Sequence, residues 1–283
     1  MIDETVAEIR EMQTHSSSIV AIKAAEALRE LLDRDHASVE EFIRSLERNS
    51  DALRRAQSSH ATLFNTQREI LQTVRDSNPT DIADAKSTTE SVIGSVVETI
   101  ETEKHRAAEN ATELIDDGDT ILTHDYSSTV LEALEMAARD GRHITVYVTE
   151  ARPRFLGRKT ARTLSEIDRI DTRLVVDSAA GYVLDECDRV MVGMDCIVDD
   201  VLYNRIGTYT IASTAAEVAV PVSVVGADSK LIDQGFVFEN EYRPTSEVMR
   251  EPAEGFSIEN PAYDSTPTHL LDNVVTDNGV QKP

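Results

Sequence analysis

Glycine and proline break sharply along this chain. The first 115 residues hold one glycine, Gly94, and one proline, Pro79; the other ten glycines and seven prolines all follow Ile115. Both residues punctuate turns, so the first stretch is restricted to long helices and the remainder to many short elements. The expected organisation is a helical domain over 1–115 and an α/β domain over 116–283.

The first stretch carries apolar residues at helical spacing. One stripe contains Ile19, Ile22, Ala25, Leu28 and Leu32 and is entered through Ser16-Ser17-Ser18. A second helix follows Ser38, with Glu41 three residues on as a capping box and Val39, Phe42, Ile43 and Leu46 as its apolar face. Further helices are expected over Leu63–Val74 and Ile82–Ile115, separated at Asn78-Pro79. This part offers packing rather than chemistry.

From Asp119 the period changes. Short β-branched runs (Thr120–Thr123, His143–Val148, Arg173–Val176, Arg189–Val192, Val222–Val225) alternate with amphipathic stretches at Val130–Ala138, Thr160–Ile167, Ala179–Cys187 and Thr208–Val218. That alternation predicts βαβ units and a parallel sheet covered on both faces. Ligands of such sheets bind beyond the carboxyl ends of the strands, where strand order reverses. The segments after the strands therefore hold the candidate site: His124 to Ser127, Thr149 to Pro153, Asp177-Ser178, Gly193 to Asp195 and Gly226 to Lys230. No GxGxxG, Walker A loop, GxSxG elbow or HExxH occurs, which disfavours a dinucleotide-binding enzyme and a nucleoside triphosphatase.

Charge excludes other classes. With 28 Lys+Arg against 52 Asp+Glu the formal net charge is −24, a field that repels nucleic acid and anionic membrane surfaces. Apolar runs such as Val190–Met194 are too short to span a bilayer, and Asp3 and Glu4 interrupt any signal-peptide pattern. Cys187 and Cys196 match neither a disulfide framework nor a zinc site, so no metal or cofactor is implied and a cytoplasmic location is expected. Only six of the basic residues are lysines. An acidic, lysine-poor surface stays hydrated where salt screens its self-repulsion, which predicts a halophilic protein.

Five ordered strings carry a more specific signal. They are Gly118 to His124; Val146 to Glu150 with Arg152-Pro153 and Gly157; Val192 to Asp195; Asn204 to Thr208; and Glu259 to Asp264 with Thr266-Pro267. Together they resemble the alpha/beta/delta subunit family of eukaryotic translation initiation factor 2B. That family also contains methylthioribose-1-phosphate isomerase and archaeal ribose-1,5-bisphosphate isomerase. The resemblance covers essentially the whole chain and implies an N-terminal α-helical domain followed by a Rossmann-like parallel-sheet α/β domain. It also implies a homo-oligomer, a dimer through the α/β domain that can extend to a hexamer.

The resemblance places specific residues. Asp195 stands where the isomerases keep an acid/base carboxylate. Their Thr-His-Cys-Asn pattern is here Thr123-His124-Asp125-Tyr126, with Asp125 at the thiol position. Asp125 and Asp195 are the catalytic candidates if the chain is an isomerase, able to share a proton as an acid/base pair. Ser127, Ser128, Asn204, Arg205 and Lys230 are the ligand-binding candidates, Arg205 replacing a family lysine. The family's N-terminal Arg-Gly turn is replaced by His15-Ser16 and its Arg-Pro by Gln57-Ser58, so half of the expected cations are missing. His124 is read as a structural hydrogen-bonding residue, and Cys196 as a small buried hydrophobe. The string His124 to Ser128 is similar to the alpha subunit. The expectation is therefore a non-catalytic, alpha-subunit-like protein whose sugar-phosphate or nucleotide pocket is regulatory or vestigial, with a translation-factor partner. The alternative is an aldose–ketose isomerase acting on a phosphorylated pentose of the ribose 1,5-bisphosphate type.

Overall fold

A computed structural model describes residues 2–11, 16–57, 59–232, 238–251 and 254–283. Five helices come first: α1 (Ile2–Arg10), α2 (Ser17–Ala27), α3 (Val39–Ala56), α4 (Ala61–Asp76) and α5 (Ile82–Thr112). Local chemistry explains their ends. Ser38 Oγ accepts from the Glu41 amide at 3.2 Å and caps α3, while the Glu41 carboxylate takes the amide of Ala37, one residue before the cap. Such a cap contributes about 1 kcal/mol. Asn78 ends the next stretch with φ 46° before Pro79, and Asp81 Oδ1 accepts from the Asp84 amide at the start of α5. Phe42, Leu46, Leu53, Ile70 and Ile93 fill the core of this part.

The chain divides into two compact units, 1–102 and 103–283. Their boundary precedes the change in glycine and proline content because α5 runs on unbroken into the second unit. There Ala108, Ala111 and the following Ile115 join the α/β core.

The second unit is built on a sheet in the order β11-β10-β7-β4-β1-β2-β3. Its strands are β1 (Thr120–His124), β2 (Ile144–Thr149), β3 (Ile170–Val175), β4 (Arg189–Gly193), β7 (Val222–Val225), β10 (Asn273–Thr276) and β11 (Gly279–Gln281). All pair in parallel except β11. Within β1, Ile121 packs into one apolar cluster and Leu122 into another, as expected of a sheet covered on both faces. The covering helices are α6 (Ser128–Arg139), α7 (Leu156–Leu164), α8 (Ala180–Val183) and α9 (Thr208–Glu217). The amphipathic stretch 179–187 forms only the single turn α8 between 3-10 turns; Gly181 sits in its middle, where glycine weakens a helix.

A second sheet, β8-β5-β6-β9, has no counterpart in the sequence-based expectation. It contains β5 (Cys196–Val198), β6 (Val201–Arg205), β8 (Leu231–Ile232) and β9 (Tyr263–Pro267). The strands β5 and β6 form a two-residue hairpin through Asp199 and Asp200, at φ 48° and 61°. Positive φ at both central residues is the turn that matches strand twist.

Candidate active site at the ends of β1 and β4

The chain runs from β1 to β2 and β3 on one side, then returns to place β4 on the other side of β1. The carboxyl ends of β1 and β4 are therefore the switch point of the sheet. Asp125 follows the first and Asp195 lies just beyond the second. Asp125 adopts φ 62°, a left-handed conformation that Asp tolerates better than most residues, and its carbonyl accepts from Thr160 Oγ1 at 2.6 Å. The turn delivers Ser127 as the cap of α6, its Oγ accepting from the Val130 amide at 3.3 Å. Gly193 is required beside it, since a Cβ there would lie 2.6 Å from Ser127 Oγ.

The β5–β6 hairpin supplies the cation. Cys196 pairs with Tyr203 and the Asp195 amide donates to the Tyr203 carbonyl, so the end of β6 returns to the start of β5. Arg205 thereby puts Nε 3.4 Å from Asp125 Oδ2 and 4.0 Å from Asp195 Oδ2, with its guanidinium 4.7 Å from the Tyr263 ring centre. Both aspartates are 6% exposed. Burial raises the Asp125 carboxyl above its ordinary value; Arg205 and His124 oppose this and Asp195 adds to it. Burial works against Arg205, but Tyr263, Asp195 and Asp125 outweigh it and raise that pKa, keeping the side chain cationic.

The other sequence candidates occupy distinct places. Lys230 is buried and donates to the Met194 carbonyl at 2.9 Å; burial lowers its pKa and Asp195 opposes that. Asn204 donates to Thr208 Oγ1 at 3.1 Å at the start of α9, and Ser128 is the first residue of α6. His124 bridges two elements, Nδ1 to Thr149 Oγ1 at 2.6 Å and Nε2 to the Ile206 carbonyl at 2.8 Å. A carbonyl only accepts, so Nε2 carries the proton. Gly207, at φ 110°, closes over this ring; a Cβ there would lie 2.9 Å from it. Cys196 is wholly buried and its thiol is pushed up to about 12 by burial, so it is no nucleophile. His15 and Ser58 lie outside the described residues; Ser16 and Gln57 are buried.

Sequence reasoning missed three groups. Asp125 and Arg205 open onto a narrow cleft also lined by Arg154 from the β2–α7 turn and by Arg243 and Glu247 from the segment before β9. Burial, then Arg243 and Arg205, lower the pKa of Arg154 from its ordinary value. Arg154 had a signal, following Arg152-Pro153 directly after β2. Arg243 had none, because its segment has no periodic pattern. Among the described residues no cluster of three or more His, Cys, Asp or Glu could hold a metal ion, and no helix is long and apolar enough to cross a membrane. The arrangement sets two carboxyl groups, each able to give or take a proton, against one cation beside a cationic cleft.

The chain is similar to known proteins over its whole length. A ribose 1,5-bisphosphate isomerase of Methanocaldococcus jannaschii is 33% identical over 290 residues, covering 100% of this chain and 92% of the relative. The protein of that name from Haloferax volcanii is 32% identical over 294 residues, covering 100% and 89%. A solved structure of Pyrococcus horikoshii OT3 translation initiation factor eIF-2B superposes with a TM-score of 0.85 at 25% identity, covering 100% of this chain and 97% of that one. The full-length relatives named as isomerases overturn the expectation of a non-catalytic, alpha-subunit-like protein. That expectation rested on Asp125 at the thiol position, on the alpha-subunit-like string His124 to Ser128 and on missing cations, and it counted cations only at the family's positions, not Arg154 and Arg243. The model of the initiation factor 2 subunit family matches residues 13–283, and the chain belongs to that family.

Proposed function

We propose that this protein is an aldose–ketose isomerase acting on a phosphorylated pentose of the ribose 1,5-bisphosphate type. The observation that carries the reading is the pair of buried carboxyl groups, Asp125 and Asp195, on one guanidinium at the switch point of the sheet.

Opening a C1-phosphorylated furanose to its 2-ketose is a net isomerisation. The bond from C1 to the ring oxygen breaks and the ring oxygen gains a proton. One hydrogen passes from C2 to C1, and the C2 hydroxyl gives up its proton. The site must therefore hold one donor and one acceptor. Burial favours the protonated form of Asp125, which makes it the donor to the ring oxygen in place of the family's thiol. Asp195 accepts from the C2 hydroxyl. Arg205 lies against both carboxyl groups and offsets their charge, which limits their repulsion of a phosphate. Ser127 and Ser128 at the start of α6, with Asn204, Arg205 and Lys230, form the bed for the sugar phosphate. Exposed Leu174, Val176, Tyr182 and Tyr209 on the α/β unit support a homo-oligomer formed through that unit.

Incubation in molar KCl with ribose 1,5-bisphosphate, and separately with methylthioribose 1-phosphate, tests the reading. Ribulose 1,5-bisphosphate is expected from the first, with its formation lost in Asp195→Asn. Absence of ketose from both substrates contradicts it.

A further inference from the structure

The arginines beyond the carboxyl pair are not explained by proton transfer. Arg152, Arg154, Arg205 and Arg243 line one cleft with only Asp125 and Glu247 as carboxylates, a local positive excess in a chain of formal net charge −24. Clustered guanidiniums repel one another as they lose water, so such a cluster is stable where an anion completes it. For Arg243 that anion is Glu247. Its Oε1 lies 2.6 Å from Arg243 Nη2 and its Oε2 lies 3.4 Å from Arg243 Nε, a two-point contact along one edge of the guanidinium. Asn260 Nδ2 also reaches Glu247 Oε2, at 3.3 Å. A phosphate presents two oxygens to the same edge in the same way.

We propose that Arg154 and Arg243 form the anchor for a phosphate group of the substrate, and that Glu247 is the resident stand-in which that phosphate displaces. This rests on the isomerase reading for the identity of the phosphate's carrier, not for the anchor itself. It accounts for how the chain holds a sugar phosphate with His15-Ser16 and Gln57-Ser58 where the family has arginines. It also accounts for the narrowness of the cleft, because Glu247 occupies the place the ligand takes. The anchor makes these residues determinants of specificity. A sugar bearing a phosphate at this end is selected over one without it, and removing Glu247's charge strengthens that selection.

The test is a set of three variants, Arg154→Ala, Arg243→Ala and the near-isosteric Glu247→Gln, each first shown by circular dichroism to be folded. Binding of inorganic pyrophosphate is measured by calorimetry at constant ionic strength in KCl, and KM for ribose 1,5-bisphosphate wherever turnover is present. Loss of one charge-assisted contact corresponds to about a tenfold or larger weakening. Each arginine variant is therefore expected to weaken pyrophosphate binding and raise KM by about that factor with kcat little changed. Glu247→Gln is expected to move both the opposite way, by about two- to fivefold on the same scale. Wild-type affinity in the arginine variants, or weakening in Glu247→Gln, overturns the anchor. The two proposals separate cleanly. Turnover with unaltered KM in the arginine variants removes the anchor and leaves the isomerase, whereas arginine-dependent pyrophosphate binding without turnover keeps the anchor and removes the isomerase. If an arginine variant does not fold, Glu247→Gln decides alone by the sign of its effect.

Discussion

The helical unit and the α/β unit bury different things. Among the described residues of the first, the buried polar side chains are Ser, Thr, Gln and His, and no Asp, Glu, Lys or Arg is buried. The α/β unit buries Asp125, Asp195, Lys230 and Asp277, and leaves the Arg205 side chain only 12% exposed. Burying a charge costs several kcal/mol unless it is paired. Asp277 is explained locally, since it accepts from the Asp228 amide at 2.7 Å. The other four converge on the ends of β1 and β4. Packing accounts for most of the helical unit, whereas the buried charges of the α/β unit are what the proposed reaction requires.

The largest expected effect sharpens this contrast from the chemical side. On the proposed reaction, replacing Asp195 by Asn removes the acceptor and lowers turnover of ribose 1,5-bisphosphate per folded molecule by about 10²- to 10⁴-fold. Its counterpart is Phe42→Ala in the helical core, where Phe42 is fully buried. That substitution costs about 3–5 kcal/mol in denaturant unfolding, and kcat per folded molecule stays at the wild-type value. A fall in kcat per folded molecule would break the contrast between the units.

A smaller effect is in pH. The folded-state pKa of Asp125 is raised, so the native protein holds that proton to higher pH than the unfolded chain does. Its contribution to stability is therefore fully present below the ordinary carboxylate range and is lost as pH rises through the raised value. At fixed KCl, the urea midpoint of Asp125→Asn should gain on that of wild type as pH rises through that window. Parallel curves would show that Asp125 titrates normally. The smallest effect is in the helical unit. Gln67 is wholly buried, and neither atom of its carboxamide is hydrogen-bonded. Gln67→Met should stabilise by about 1 kcal/mol, since it relieves an unsatisfied polar group in a packed interior. Destabilisation would reveal a polar role there.

Much of this architecture is legible in the sequence for identifiable reasons. β1, β2, β4 and β7 are short apolar runs set between helical periods, and each lies close to its expected position. The β5–β6 hairpin was not legible, because its turn is Asp199-Asp200 rather than a glycine-bearing pair and reads as a solvated acidic loop. That omission matters: the hairpin is what carries Arg205 back to Asp195. Asp125 and Asp195 were found because strand ends in a parallel sheet are where ligands bind, and because the family resemblance marks them. Arg243 lies 38 residues along the chain from Arg205 and in another segment, so only folding brings them to one cleft. Counting cations by sequence position undercounted the site for that reason.

The central claim is that a carboxyl at position 125 serves as the acid where relatives of the isomerase branch are expected to use a thiol. Single-turnover conversion of ribose 1,5-bisphosphate by wild type and by Asp125→Asn, with both proteins shown to be folded in the same KCl, addresses it directly. The account predicts ketose from wild type and at least a hundredfold slower conversion by the variant, because an amide has no acidic proton to give. Equal rates for the two proteins would contradict it.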